Sequence, residues 1–273
     1  MVSMVIANRA RQYGRFDGPA RRAGAVTYRN VAALRSAYWL VVVSGFFEPL
    51  LYLLSIGVGV GALIGQVQLP GGRMVDYPVF VAPAMLAASA MSGALSESTF
   101  NFFGKMKFMK LYEAVLATPV RPIEIALGEL MWAMARGSLY SGAFLMIMTV
   151  MGLTSPGWAL AAFPAALLVG FSFGGLGMAL STFMRSWQDF DVLGTVQFAL
   201  FLFSGTFVPV GSYAEPMRLL VQATPLYHAV ELVRGVTTGT LQWGLLGHSA
   251  YLLVMAVVGL AVASRRMGRL LLK

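Results

Sequence analysis

The chain contains no cysteine among its 273 residues, so disulfide bonds, thiol catalysis and zinc–thiolate sites are excluded. Charge is also scarce, because only 11% of the residues are Asp, Glu, Lys or Arg, against about 25% in ordinary globular chains. The 48 residues from Gly137 to Met184 carry no charged side chain. A bilayer-spanning helix needs roughly 20 apolar residues. This run therefore predicts two such helices and an integral membrane protein.

Sequence signatures of catalysis are missing as well. The only Gly-Lys pair, Gly104-Lys105, lacks both the Ser or Thr and the first glycine of a phosphate-binding loop. No Gly-x-Ser-Gly segment is present, which argues against an intramembrane serine protease. The two histidines, His228 and His248, are too few for a three-histidine metal site. We therefore expect a protein that is not an enzyme and binds no cofactor or metal of its own.

The apolar runs predict an all-α integral membrane fold with six transmembrane helices. Residues 1–20 form a basic tail, and residues 21–273 form a single transmembrane domain. Gly170 and Gly174 are four residues apart, a spacing that favours close packing of helices in the fourth span. The predicted spans are residues 40–64, 78–96, 125–152, 158–184, 192–209 and 245–264.

Positive charge lies between the apolar runs, which argues against a nucleic-acid-binding patch. With the N-terminus inside, sixteen of the 20 Lys and Arg residues fall in inner segments, three fall outside, and Arg136 lies within the third span. Short cytoplasmic loops of membrane proteins are enriched in Lys and Arg. The asymmetry therefore predicts that both termini are cytoplasmic.

Three segments outside the spans have patterns of their own. Residues 21–38 are amphipathic and predict a helix in the inner membrane interface, or alternatively a solvated basic tail. The inner loop 101–122 mixes apolar and basic side chains and predicts a docking surface, or a helix lying on the membrane. The outer segment 210–244 is apolar but broken by prolines, which predicts short helices that dip into the membrane.

Ionisable residues within or beside the spans are candidates for the transport pathway or its gates, because charge is costly in lipid. Glu231 and Arg234 are three residues apart and are expected to pair on a short outer helix. Glu129 and Arg136 share a face of the third span, where structural pairing or snorkelling is the alternative. The candidates are Glu48, Glu129, Arg136, His228, Glu231 and Arg234.

Three passages resemble those of the ABC-2 type permeases. They are residues 111–119 (LYEAVLATP), 203–209 (FSGTFVP) and 224–235 (TPLYHAVELVRG). The first is followed by Gly128-Glu129 and Trp132. The resemblance covers roughly residues 25–265 and is to the branch of nodulation-factor (lipo-oligosaccharide) exporter permeases and daunorubicin-resistance-like membrane subunits.

This resemblance implies the permease of an ATP-driven exporter in a bacterial inner (plasma) membrane. The substrate would be a lipid-like molecule, a glycolipid or a hydrophobic drug, moved out of the cytoplasm or inner leaflet. Two cytoplasmic ATPase subunits would bind ATP and Mg²⁺, and a second permease, either a copy or a relative, would complete the pathway within membrane lipid. A stand-alone ion-coupled carrier, with Glu48 as its deepest ionisable group, is the alternative.

The resemblance also assigns roles to segments. Residues 21–38 match an interfacial connecting helix, residues 101–117 match a cytoplasmic coupling helix, and residues 212–235 match outer re-entrant helices. The apolar side chains of the coupling helix would fill a cleft on the ATPase, and its lysines would steer the approach. The expected coupling residues are Phe103, Lys105, Met106, Lys107, Phe108 and Lys110.

Overall fold

The computed structural model describes residues 18–33, 47, 50–69 and 72–271. Helix α1 (Pro19–Ala33) overlaps the segment 21–38 predicted to be amphipathic and begins two residues before it. A helical stretch over residues 50–64 (α2) contains the π-helical turns Ser55–Val60 and ends with the α-helical turn Gly61–Ile64. Strands β1 (Gln66–Gln68) and β2 (Met74–Asp76) form an antiparallel hairpin that pairs Gln66 with Asp76.

Helices account for most of the remaining chain. They are α3 (Tyr77–Ser96), α4 (Leu111–Leu116), α5 (Pro122–Val150), α6 (Pro156–Ser181), α7 (Asp189–Leu202), α8 (Glu215–Ala223), α9 (Pro225–Thr237) and α10 (Gly244–Leu271). A 3₁₀ turn, Val210–Ser212, precedes α8. The described residues therefore form an all-α membrane protein, as the sequence predicts. The end that carries α1 and the C-terminus of α10 is called the inner end below, and the opposite end the outer end.

Polar caps and prolines fix the starts of several helices. The Ser155 hydroxyl accepts a hydrogen bond from the Trp158 amide at the start of α6 (3.5 Å). The Thr224 hydroxyl accepts one from the Tyr227 amide at the start of α9 (3.3 Å). In both helices a proline follows the cap, where its missing N–H and fixed φ are favourable. These local signals explain why the predicted start of the fourth span, residue 158, is close to the observed one.

Helix α3 is longer than the sequence predicts. It continues through the π-helical segments Glu97–Asn101 and Gly104–Phe108, so that one helix of 32 residues runs from Tyr77 to Phe108. Lys110, with φ of 48°, then turns the chain into α4. The inner loop predicted from residue 101 is therefore helical as far as Phe108, and its basic side chains lie on this inner extension. The end of the second span at residue 96 stays a prediction.

Helix α7 is shorter than its predicted span of 192–209. It ends at Leu202 after 14 residues, which corresponds to about 21 Å of helix, less than the roughly 30 Å hydrocarbon core of a bilayer. Gly205, with φ of 70°, redirects the chain beyond it. Among the described residues, three helices are long and apolar enough to cross a membrane, namely Tyr77–Phe108, α6 and α10. The count of six spans stays a prediction.

Helix α6 lies at the centre of the fold and packs against α3, α5, α9 and α10. A Cβ atom on Gly259 of α10 would lie 2.5 Å from the carbonyl carbon of Gly175 on α6, so these two backbones touch directly. A Cβ atom on Gly174 would lie 2.6 Å from Leu130 of α5. The predicted packing role is therefore confirmed for Gly174, and small residues allow this close approach.

Alanine in place of Gly259 is expected to lower the stability of the folded protein by about 1–3 kcal/mol, the range for overpacking a close-packed core. The clash is with backbone, which cannot move aside without separating α6 from α10. Gly247→Ala is the matched control on the same helix, because its added Cβ would meet nothing within 4 Å. Thermal unfolding of both variants in detergent measures the difference, and equal midpoints would contradict the direct contact.

Candidate functional site

The inner end holds a buried ionic cluster around Glu129 of α5. Its Oε1 accepts a hydrogen bond from Nη2 of Arg29 on α1 (2.7 Å). Its Oε2 accepts from Nδ2 of Asn30 on α1 (2.9 Å) and from Nζ of Lys105 on the extension of α3 (2.7 Å). One carboxylate therefore joins three helices that are far apart in sequence.

Helix α1 is held along α5 by further contacts. The guanidinium of Arg22 donates to the Pro119 carbonyl (2.6 Å) and pairs with the carboxylate of Glu124 (3.4 Å). A Cβ atom on Gly128 of α5 would lie 2.6 Å from the Ala23 carbonyl oxygen, so the two helices are in close backbone contact. The predicted interfacial helix is therefore anchored to the helical core at its inner end.

Arg136 and Glu129 do not form a pair with each other. Arg136 forms an ion pair with Glu97 on the inner part of α3 and donates to the Tyr140 hydroxyl (3.1 Å). Both candidate charges of the third span therefore have partners on other helices or one turn away. Glu48, the remaining candidate of this group, lies outside the described residues.

The predicted coupling residues divide into buried and exposed groups. Phe103 and Met106 are buried within the chain, and Lys105 is engaged by Glu129. The expectation that Phe103 and Met106 fill a cleft on a partner is wrong for this conformation, because the continuing helix turns them towards the protein interior. Phe108 is 60% exposed, and Lys107 and Lys110 are exposed beside it.

Phe108 belongs to an aromatic cluster that the sequence analysis missed. Its ring stacks on Trp187, in the turn between α6 and α7, at 5.3 Å and 11° between planes. Trp187 also contacts the buried rings of Phe103 and Phe190. Trp187 is 47% exposed. The end of α3 and the α6–α7 turn therefore form one partly exposed aromatic surface at the inner end.

At the outer end, Arg234 of α9 is 2% exposed and makes three hydrogen bonds. Its guanidinium donates to the Glu231 carboxylate (2.6 Å), to the carbonyl of Phe80 on α3 (3.1 Å) and to the carbonyl of Gly205 (2.8 Å). It also lies over the Phe80 ring, 3.9 Å from the centroid. The predicted pair of Glu231 and Arg234 is therefore present, and Arg234 in addition joins α9 to two other parts of the chain.

Two clefts in the described part of the chain are relevant to transport. An outer cleft of about 840 Å³ is bounded by β1, the 3₁₀ turn and α9, and includes Glu231 and Arg234 in its lining. A smaller cleft of about 360 Å³ lies between α2, α3 and α7. Gln197 of α7 donates a hydrogen bond there to the Ser92 hydroxyl of α3 (2.7 Å). The described residues that line the smaller cleft carry no charge, the polar ones being Tyr52, Ser89, Ser92 and Gln197.

Two histidines face each other near the outer cleft. Nδ1 of His228 on α9 and Nδ1 of His248 on α10 are 2.7 Å apart. Neither the partner of His228 nor the partners of Glu129 could be predicted from the sequence, because they depend on helix packing across long separations. The sequence contains one sign of the Glu129 cluster, because Arg29 and Asn30 are adjacent polar residues in α1, a helix that also has an apolar face.

Comparison with known proteins gives a consistent result. A family model described as "ABC-2 type transporter" matches residues 22–237. Nodulation protein J of Rhizobium leguminosarum bv. trifolii is 30% identical over 250 residues, which cover 91% of this chain and 94% of the relative. The protein of the same name from R. leguminosarum bv. viciae is 28% identical over 91% of this chain and 95% of its own. That of Neorhizobium galegae is 28% identical over 89% and 93%.

Proposed function

We propose that this membrane transport permease, which belongs to the ABC-2 type transporter family, is the membrane subunit of an ATP-driven exporter. It would lie in the bacterial inner membrane with six spans and both termini in the cytoplasm. The cluster around Glu129 carries the proposal, because it connects an exposed inner surface to helices that extend to the outer end.

The partners follow from the same premise. ABC-2 permeases generally work with an ATPase subunit, and two such subunits would bind ATP and Mg²⁺ on the cytoplasmic side. A second permease, either a copy or a relative, would complete the pathway. The charge pattern supports this orientation, because sixteen of the 20 Lys and Arg residues lie in the segments assigned to the cytoplasm.

The uncharged cleft between α2, α3 and α7 is the proposed start of the pathway. Its hydroxyl and amide groups lie beside apolar side chains such as Met85 and Phe201. A charged headgroup would find no counter-ion among the lining residues that the structure describes. The cleft therefore suits an uncharged amphiphile, consistent with a lipid-like, glycolipid or hydrophobic drug substrate.

An ion-coupled carrier is less well supported. Such a carrier needs an ionisable group that is free to bind its ion within the membrane. Glu129 and Arg136 are both engaged in ion pairs near the inner end. Only Glu48 is left among the candidates of the spans, and it lies outside the described residues.

The docking surface for the ATPase is proposed to be Phe108 and Trp187, with Lys107 and Lys110 at its rim. Stacked, partly exposed aromatic side chains at the centre of an interface often contribute about 2 kcal/mol or more, and rim charges contribute less. Charged rim residues mainly affect the rate of association and its salt dependence. The predicted inner docking surface is thus retained, but with a different set of apolar side chains.

When the tagged chain is purified from its native membranes, ATPase activity should copurify with the wild type. The variant with alanine at both Phe108 and Trp187 is expected to lose this activity and to lose ATP-dependent transport. Trp243→Ala is the matched control, since Trp243 is 89% exposed at the outer end. Membrane insertion should be unchanged in both variants. Normal copurification and transport by the double variant would refute this docking surface, and ATP-independent transport by the wild type would refute the function itself.

A further inference from the structure

The outer end contains a contact that the proposed transport mechanism does not use. His228 on α9 and His248 on α10 present the same ring nitrogen, Nδ1, to each other at 2.7 Å. The ring centroids are 5.0 Å apart with a tilt of 52°. A neutral imidazole has one nitrogen that donates and one that accepts, so a hydrogen bond forms only when one of the two Nδ1 atoms carries a proton.

The contact tolerates at most one added proton. With both rings neutral, one Nδ1–H donates to the other Nδ1, and a single added proton on the far nitrogen of the donor leaves this bond in place. When both rings are protonated, two N–H groups point at each other and two positive charges lie side by side, so the rings must separate. Two titrating groups in this relationship take up their protons in coupled steps.

The surroundings hold the two rings in place. Tyr251 of α10 stacks on His228, with centroids 4.0 Å apart and planes at 23°. The Tyr227 ring lies edge-on to both histidines, at 5.6 and 5.7 Å. The rings are therefore packed between aromatic neighbours, and burial opposes a charge on either of them.

Charged groups near the pair are few, and those described are already engaged. On α9 itself, Glu231 is paired with Arg234, and Glu231 shares a small cavity with His248. On α8, Glu215 is paired with Arg218. Helix α5 packs against α10, and the charged side chains of α5 form ion pairs at the inner end. Helix α6 has no ionisable side chain, and α3 between residues 77 and 96 has only Tyr77.

We propose that His228 and His248 form a proton-sensitive clasp that holds α9 against α10 at neutral pH and opens on acidification. Arg234 keeps α9 attached to α3 through the Phe80 carbonyl in both states. Opening would therefore loosen α9 from α10 alone. The clasp does not depend on which substrate is carried, nor on the presence of an ATPase.

The direction of the pH response follows from the geometry and is supported by the pKa of His228, which burial lowers and the neighbouring His248 lowers further. A histidine whose pKa is lower in the folded protein than in the unfolded chain stabilises the fold above its unfolded pKa, about 6.5. That stability is lost as the pH falls through the lower, folded value. Acid therefore weakens the contact, and neutral pH maintains it.

Because the chain contains two histidines in all, ¹⁵N-histidine NMR of the full chain in lipid nanodiscs reports on this pair alone. We expect the two signals to titrate in two coupled steps, as interacting sites do. In the His248→Gln variant the pKa of His228 should rise towards its usual value. Two independent titrations, each unchanged when the other histidine is replaced, would overturn the proposal.

A second measurement tests the mechanical consequence. Between about pH 7.5 and about pH 5, where histidines change charge, the thermal unfolding midpoint of the wild-type chain should fall further than that of the His228→Gln/His248→Gln variant. An amide pair can keep a hydrogen bond without acquiring charge. The same pH dependence in both proteins would show that the pair is not a clasp. The wild-type NMR titration remains decisive if the double variant does not fold.

Discussion

Methionine in place of Arg234 is expected to destabilise the folded permease by about 3–5 kcal/mol, the range for removing one partner of a buried ion pair. The substitution leaves Glu231 without its cation and leaves the carbonyls of Phe80 and Gly205 without their donor. Glu231 then carries an uncompensated charge, and each of the two carbonyls loses a hydrogen bond from a charged donor. The yield of monodisperse full-length protein and its thermal unfolding midpoint are the measurements.

Arg218→Met is the matched control for this prediction. Arg218 and Glu215 have the same spacing of three residues on the neighbouring helix α8, but their side chains are 41% and 77% exposed. An exposed pair of this kind contributes at most about 1 kcal/mol. Equal losses of stability in the two variants would show that the effect of Arg234 does not come from its burial.

Exchanging the two residues, as Glu231→Arg with Arg234→Glu, is expected not to restore the protein. Spacing alone would predict rescue, because the exchange recreates an ion pair of opposite polarity. Two of the three hydrogen bonds of Arg234, however, go to backbone carbonyls, and a carboxylate at position 234 cannot donate to them. Recovery of wild-type stability in the exchanged variant would mean that those bonds contribute little.

Glu129→Gln is the second substitution with a large expected effect, on transport and, because Glu129 is buried with two cations, also on stability. Both carboxylate oxygens accept hydrogen bonds, Oε1 from Arg29 and Oε2 from Asn30 and Lys105. An amide can present one oxygen only, so its NH₂ group must face a donor. Hydrogen bonds to charged groups contribute about 1.5–3 kcal/mol, equivalent to about a tenfold or greater change in an equilibrium constant, and we expect coupled transport to fall by a similar factor.

The assay for this variant is ATP-dependent substrate export together with ATP hydrolysis by the copurified complex. We expect hydrolysis to continue while export falls, because the proposed docking surface at Phe108 and Trp187 is untouched. Glu113→Gln is the control, since Glu113 is exposed on the short helix α4. Wild-type export by Glu129→Gln would show that the ionic cluster is a structural feature without a role in coupling.

The sequence predicts helix starts and turns well where local signals coincide. The charge-free run from Gly137 to Met184 contains the α5–α6 turn, and proline with a polar cap marks the start of α6. Residues 101–108, predicted to belong to an inner loop, are instead helical and include Lys105. In the structure that lysine is neutralised by Glu129, 24 residues further along the chain.

The candidate site could be predicted only where the partners are close in sequence. Glu231 and Arg234 pair within one turn of α9, so helical spacing is enough to place them together. Arg29 and Glu129 are 100 residues apart, and their contact depends on the packing of α1 against α5. The aromatic contact of Phe108 with Trp187 likewise depends on how the end of α3 meets the α6–α7 turn.

The length of α3 has a consequence for how the two ends of the molecule communicate. Phe80, whose carbonyl binds Arg234, and Lys105, which binds Glu129, lie on the same uninterrupted helix. At 1.5 Å per residue they are separated by about 38 Å along its axis. One continuous helix therefore reaches from the outer cleft to the inner ionic cluster, so a displacement imposed at its inner end would have a path to the outer end that passes through no loop.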